Sequence, residues 1–94
     1  MPYTEIDPTI YAWAKHNSLY MYDAVAGEQA RFCYLSSWRG ECYQISIKPP
    51  DSGLLRVHVW AIETFDDMEA HLEWFVPIPE LRNTLDMALS TVRD

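Results

Sequence analysis

The residues able to carry chemistry in this chain are few: two cysteines, Cys33 and Cys42, three histidines, His16, His58 and His71, and a run of carboxylates late in the sequence. The cysteines have neither the spacing of a zinc site nor the CxxC spacing of a redox pair. A thiol–imidazole pair of Cys42 and His58 is the one nucleophilic arrangement the chain offers. It has no identifiable orienting residue and no glycine-rich loop to hold an oxyanion. The histidines lack the i, i+4 or HxH spacing that lets two share a metal, and His16 near a helix end suits the helix dipole. Between Glu63 and Glu73 lie five acids, Glu63, Asp66, Asp67, Glu69 and Glu73, with no Lys or Arg among them. They do not follow the DxDxDG pattern of a calcium loop. No metal or cofactor is expected, and no catalytic site.

Ninety-four residues make one domain, residues 1–94. With 49% hydrophobic residues, 14% aromatic and three glycines, the chain can bury a core without metal or disulfide. Seven bases against fourteen acids give a net charge of −7. Phosphate backbones are repelled by such a field, so nucleic acid is not an expected partner and a basic protein is. From residue 63 onward the chain holds eight acids and two bases, so the charge is concentrated late. No apolar run reaches the ~20 residues of a membrane span, and the Met1-Pro2-Tyr3-Thr4-Glu5 start does not resemble a signal peptide. The expected setting is the cytoplasm, with both thiols free and reduced.

Asp7-Pro8 opens a helix over residues 8–17, the Asp side chain accepting an orphan N–H and Pro8 sitting where none is needed. Ile6, Ile10, Trp13 and Ala14 form its apolar stripe, and Asn17-Ser18 ends it. A second amphipathic helix over residues 79–92 presents Leu81, Leu85, Ala88, Leu89 and Val92. Between them the period changes to two and predicts strands at 19–23, 31–36, 42–48, 54–63 and 71–76. The connections are too short for parallel crossovers, so the strands form an antiparallel meander. The expected fold is α+β, in the order α-β-β-β-β-β-α, with both helices on one face of a five-stranded sheet.

Closing residues 37–40 as a loop sets Ser36 opposite Glu41, Tyr34 opposite Tyr43 and Phe32 opposite Ile45. Closing residues 49–53 sets Ile47 opposite Leu55, Ile45 opposite Val57 and Tyr43 opposite Val59. One face then carries Phe32, Tyr34, Tyr43, Ile45, Ile47, Leu55, Val57, Val59 and Ala61, joined by Leu72, Trp74 and Val76, and receives the helices. The other carries Arg31, Cys33, Leu35, Cys42, Gln44, Ser46, Lys48, Arg56, His58, Trp60, Ile62, Glu73 and Phe75. In this register Cys33 and Cys42 are diagonal neighbours ~7 to 8 Å apart, beyond disulfide reach. Tyr20, Tyr22, Tyr34, Tyr43 and Trp74 are expected as core or interface rings.

A solvated sheet face normally alternates to charged residues. Leu35, Cys33, Cys42, His58, Trp60, Ile62 and Phe75 are instead expected close together as an apolar cluster, which marks a partner surface, with Leu35, Cys42, His58, Trp60, Ile62 and Phe75 as its contact residues. With the acids Glu63, Asp66, Asp67, Glu69 and Glu73 it forms the candidate partner-binding site. The expected function is non-enzymatic protein binding. An acidic single domain with a sheet, flanking helices and no catalytic motif resembles, as a class, the small immunity and antitoxin proteins that cap basic toxins. The alternatives are a homodimeric scaffold or small-ligand binder using the same face, and a small thiol enzyme using Cys42 and His58.

Overall fold

The computed structural model describes residues 3–62 and 72–93. Its elements are α1 (Asp7–His16), β1 (Tyr22–Val25), β2 (Glu28–Ser36), β3 (Cys42–Ile47), β4 (Leu54–Ala61), β5 (Leu72–Pro77), a 3-10 turn (Ile78–Glu80) and α2 (Leu81–Arg93). The strands run antiparallel in the order β1-β2-β3-β4-β5, the expected meander. Both helices contribute to one core with the face that carries Ile45, Ile47, Leu55, Val57 and Val59. The expected strand ends at Glu63 and His71, and the turn at Asp66-Asp67-Met68, lie outside the described residues.

Helix α1 ends where Asn17-Ser18 predicts. Ser18 takes a left-handed conformation, φ +58°. There Leu19 N–H reaches Ala14 C=O at 2.8 Å and Ser18 N–H reaches Lys15 C=O at 3.2 Å, the paired bonds of a Schellman ending. The start differs from expectation. Ile6 is the N-cap and no side chain caps the helix, because the Asp7 carboxylate is taken by Arg31, with Nε to Oδ1 at 2.7 Å and Nη2 to Oδ2 at 3.0 Å.

Strand parity holds across β3, β4 and β5. Ile47 faces Val57, Ile45 faces Val59 and Tyr43 faces Ala61, a two-residue offset from the expected register that leaves every side chain on its expected face. The cause is the β3–β4 connection. Ser52 and Gly53, both at positive φ, make a tight turn that pairs Asp51 with Leu54. Pro49 and Pro50 then oppose Leu55 alone before Lys48 N–H meets Arg56 C=O at 2.9 Å, one residue of bulge. Leu72, Trp74 and Val76 also keep their expected side, opposite Val59, Val57 and Leu55.

The parity of β2 is inverted. Tyr34 pairs with Gln44, Cys33 with Ile45 and Arg31 with Ile47. Arg31, Cys33 and Leu35 therefore face the helices and are buried, while Phe32 and Tyr34 face the opposite side. The β2–β3 connection decides this. Gly40 adopts φ +86°, and Ser37 N–H meets Glu41 C=O at 2.8 Å. The loop thus has three residues, a tight turn followed by a left-handed glycine, instead of four. One residue fewer moves every side chain of β2 to the other face. The Ser37 hydroxyl holds the loop, accepting from Arg39 N–H at 3.2 Å and Glu41 N–H at 3.3 Å.

Candidate functional site

With β2 in its observed register, the helix-free face reads as rows across the strands. Tyr34, Gln44 and Trp60 form one row, and Tyr22, Phe32, Ser46, His58 and Glu73 form the next. Arg56 and Phe75 pair beyond them. Small polar side chains of β3 thus lie between an aromatic wall from β1 and β2 and a second one on β4. The Trp60 indole N–H donates to Gln44 Oε1, and the His58 ring meets it edge-on with centroids 4.4 Å apart. Phe32, Tyr34, Gln44, Ser46, Lys48, Pro49 and Trp60 border a cavity of about 450 Å³.

The β1–β2 wall is a ladder of four rings. Tyr22 stacks on Phe32 at 5.1 Å and meets Tyr34 edge-on at 5.6 Å. Tyr20 extends it, edge-on to Tyr22 at 4.7 Å. Tyr20, Tyr22 and Tyr34 are exposed, Tyr20 to 72%. Sequence reasoning read these rings as core or interface and placed Phe32 and Tyr34 under the helices. The signal that finds them is the pair of period-two patterns, Tyr20-Met21-Tyr22 and Phe32-Cys33-Tyr34, read together with Gly40 as the close of a three-residue loop.

Of the expected site residues, the structure brings His58 and Trp60 together, with Phe75 and Glu73 beside them on β5. Phe75 is 63% exposed, and Glu73 Oε2 pairs with Arg56 Nε at 2.9 Å. Ile62 lies half-buried past the end of β4. Leu35 does not belong to the site: it points into the helix-side core and is buried, because the shorter loop inverted its strand. Cys42 is exposed at the start of β3, opposite Ser36. His58 lies opposite Ser46, four residues along from Cys42, which places the two about 13 Å apart along the sheet. The thiol–imidazole pair is not assembled. Glu63, Asp66, Asp67 and Glu69 lie outside the described residues.

Both cysteines are free, for a reason other than the expected diagonal offset: they sit on opposite faces of the sheet. Cys33 is fully buried, and that burial pushes its thiol up to about 12, against a weaker opposing effect of the Ile45 backbone hydrogen bond. It is held as a neutral thiol with no nucleophilic character at ordinary pH. Among the described residues no cluster of His, Cys, Asp and Glu is placed to hold a metal, and no helix is long and apolar enough to cross a membrane.

Charge is distributed unequally between the faces. Arg31, the one cation of β2, is turned into the helix side, bound to Asp7, laid over the Tyr3 ring at 4.3 Å, and donating to the Asp23 and Ala30 carbonyls at 3.1 and 2.8 Å. Those carbonyls flank the bulge where β2 carries one residue more than β1. Arg31 therefore fills a backbone irregularity, and Glu28 and Lys48 border the same cavity as Phe32 and Tyr34. No protein-family model matches the chain, and no curated protein or solved structure matches it.

Proposed function

We propose that this domain works by binding a basic protein through the helix-free face of its sheet, with no catalytic step, in the manner of an acidic inhibitor that caps its partner. The supporting observation is the ladder Tyr20, Tyr22, Phe32 and Tyr34, continued across Gln44 to Trp60, which neither helix covers. Exposed tyrosines supply large contact areas at low entropic cost, and their ring faces attract Arg and Lys. Arg31 is bound by Asp7 and Arg56 is paired with Glu73, so two cations of the sheet are neutralised, and Lys48 is the base that borders the ring cavity. The net charge of −7 favours such a partner at long range and disfavours a second copy of the chain. Free thiols suit a reducing compartment, and we place the domain in the cytoplasm.

The test uses the basic protein that co-purifies with the domain from its native cell. Tyr34→Ala and Trp60→Ala should each weaken that complex by about 2 kcal/mol, mainly through faster dissociation. Asp66→Lys with Asp67→Lys should slow association and flatten its salt dependence. Ring variants that bind as the wild type does would remove the helix-free face from recognition.

A further inference from the structure

We propose that the outer edge of β1 receives an extended, basic segment of the partner as an added strand. The inference rests on the protein-recognition reading above and specifies the form in which the partner arrives. β1 is the first strand in the sheet order, and its one strand partner is β2. Among the described residues nothing pairs with its outer edge, and all four residues, Tyr22 to Val25, are exposed. An edge of this kind presents a row of backbone donors and acceptors to an incoming chain.

A groove accompanies that edge. α1 and the segment entering β1 border about 500 Å³ of open, shallow groove, lined by Tyr11, Ala14, Lys15, Leu19, Tyr20, Met21 and Asp23. Its apolar part is made by the buried Ala14 and Met21, with the exposed Tyr11 and Tyr20 as sides. Backbone pairing supplies affinity in strand addition, and a side-chain socket supplies specificity. Here both occur on one side of one strand.

The two faces of an added strand meet different chemistry, because its side chains alternate. Those on the helix side point toward the groove over Ala14 and Met21 and suit Val or Leu. Those on the other side rise beside the Tyr20 and Tyr22 rings and suit Arg or Lys. Asp23 lies on β1 and Glu28 opposite Val25 at the start of β2, Lys15 of α1 borders the groove, and the neighbouring Arg31 is held by Asp7 at 2.7 Å. The fitting segment alternates basic and aliphatic residues. A second copy offers no such segment at this edge: antiparallel pairing of two β1 strands would bring two Asp23 carboxylates near each other in chains that each carry a net −7.

The experiment titrates the isotope-labelled domain with the acetylated, amidated hexapeptide Arg-Val-Arg-Leu-Arg-Val, its Glu-for-Arg counterpart, and two N-methylated forms that each block the amides along one edge. Backbone amide shifts should centre on Tyr22 to Val25, with a dissociation constant on the order of 100 µM. One N-methylated form should lose at least about tenfold and the other bind like the parent, because an added strand uses one of its edges. The Glu peptide should bind at least about tenfold more weakly. The proposal is overturned by equal binding of both N-methylated forms, by a Glu peptide as tight as the Arg one, or by unperturbed Tyr22 to Val25 amides at about 1 mM peptide. If both N-methylated forms bind like the parent while Tyr20→Ala and Tyr22→Ala abolish binding, strand addition is wrong and recognition by the rings stands. The wider reading fails separately, when ring variants bind the natural partner unchanged.

Discussion

The two faces of this sheet each hold an arginine–carboxylate pair, and the pairs do different work. On the helix side, Arg31 and Asp7 have side-chain exposures of 7% and 28%, and the guanidinium also satisfies two carbonyls at a bulge. On the helix-free side, Arg56 and Glu73 are exposed to 41% and 35%. Solvent can replace either member of the second pair and neither function of the first. Removing one partner of a buried pair strands the other charge, whereas an exposed pair contributes little. The helix side is thus fixed by its polar contacts as well as by its apolar ones, and the helix-free side keeps its ion pair within reach of solvent.

The largest test of that contrast is Asp7→Ala, expected to cost about 3 to 5 kcal/mol in urea unfolding, because Arg31 stays buried without its counter-ion. Glu73→Ala should cost less than about 1 kcal/mol. Similar losses for both would erase the distinction. Replacing the buried pair together, Asp7→Leu with Arg31→Met, should recover most of the loss, since well-packed apolar groups often substitute for a buried ion pair at little cost. A smaller contrast of the same kind comes from packing: Val57→Ala should cost about 1 to 3 kcal/mol, and Tyr34→Ala less than about 1 kcal/mol.

Alkaline titration sharpens the comparison from the side of ionisation. Cys33 is pushed up to about 12 from 9.0, and Tyr3 is raised above 10.0, in both cases chiefly by burial. When these groups ionise in the unfolded chain first, protons leave the unfolded state and stabilise it. The contribution of these two groups to stability should therefore be level below about pH 9 and fall as pH rises from there toward 12. Cys33→Ala should flatten the first part of that fall, measured by urea midpoints across the range. Iodoacetamide should label the exposed Cys42 in the native protein and Cys33 after unfolding. Rapid native labelling of Cys33 would place β2 in the other register.

The smallest effects come from the turns. Ala26 has φ +52° beside Gly27 at +83° in the β1–β2 turn, and Ser18 has +58° at the end of α1. Ala26→Gly and Ser18→Gly should each stabilise by about 0.5 to 1 kcal/mol if relief of the left-handed strain exceeds the entropy added to the unfolded chain. Thermal unfolding of the two variants would check this, and Ala26→Gly should leave the peptide affinity of the β1 edge unchanged.

Much of the architecture was legible in the sequence. The helices follow from Pro8, Asn17-Ser18 and the three–four spacing of Leu81, Leu85, Ala88 and Val92, and the strands from period-two runs between turn residues. The parity of β3 to β5 was also legible, because Ile45, Ile47 and Val57 are flanked by Gln44, Ser46, Lys48, Arg56 and His58, which leaves one choice of buried face although Trp60 follows Val59. The Cys42–His58 pairing was not, because it depended on an offset along the strands that alternation does not encode. A two-residue shift changes neighbours without changing faces.

What the sequence by itself determined is therefore the element order, the meander and the face on which the helices sit. Only the tertiary structure decided the facing of β2. Both sets of its alternating residues contain large apolar side chains, Cys33 and Leu35 on one side and Phe32 and Tyr34 on the other, so hydrophobicity permits either burial. The choice fell to Gly40, whose left-handed φ of +86° closes a three-residue loop, and to Asp7, which lies 24 positions from Arg31 in the chain and gives its guanidinium a partner on the helix side. A charge can enter a core only where a counter-charge and hydrogen-bond acceptors await it, and that meeting exists once α1 has docked on the sheet. The aromatic ladder on the opposite face follows from the same choice.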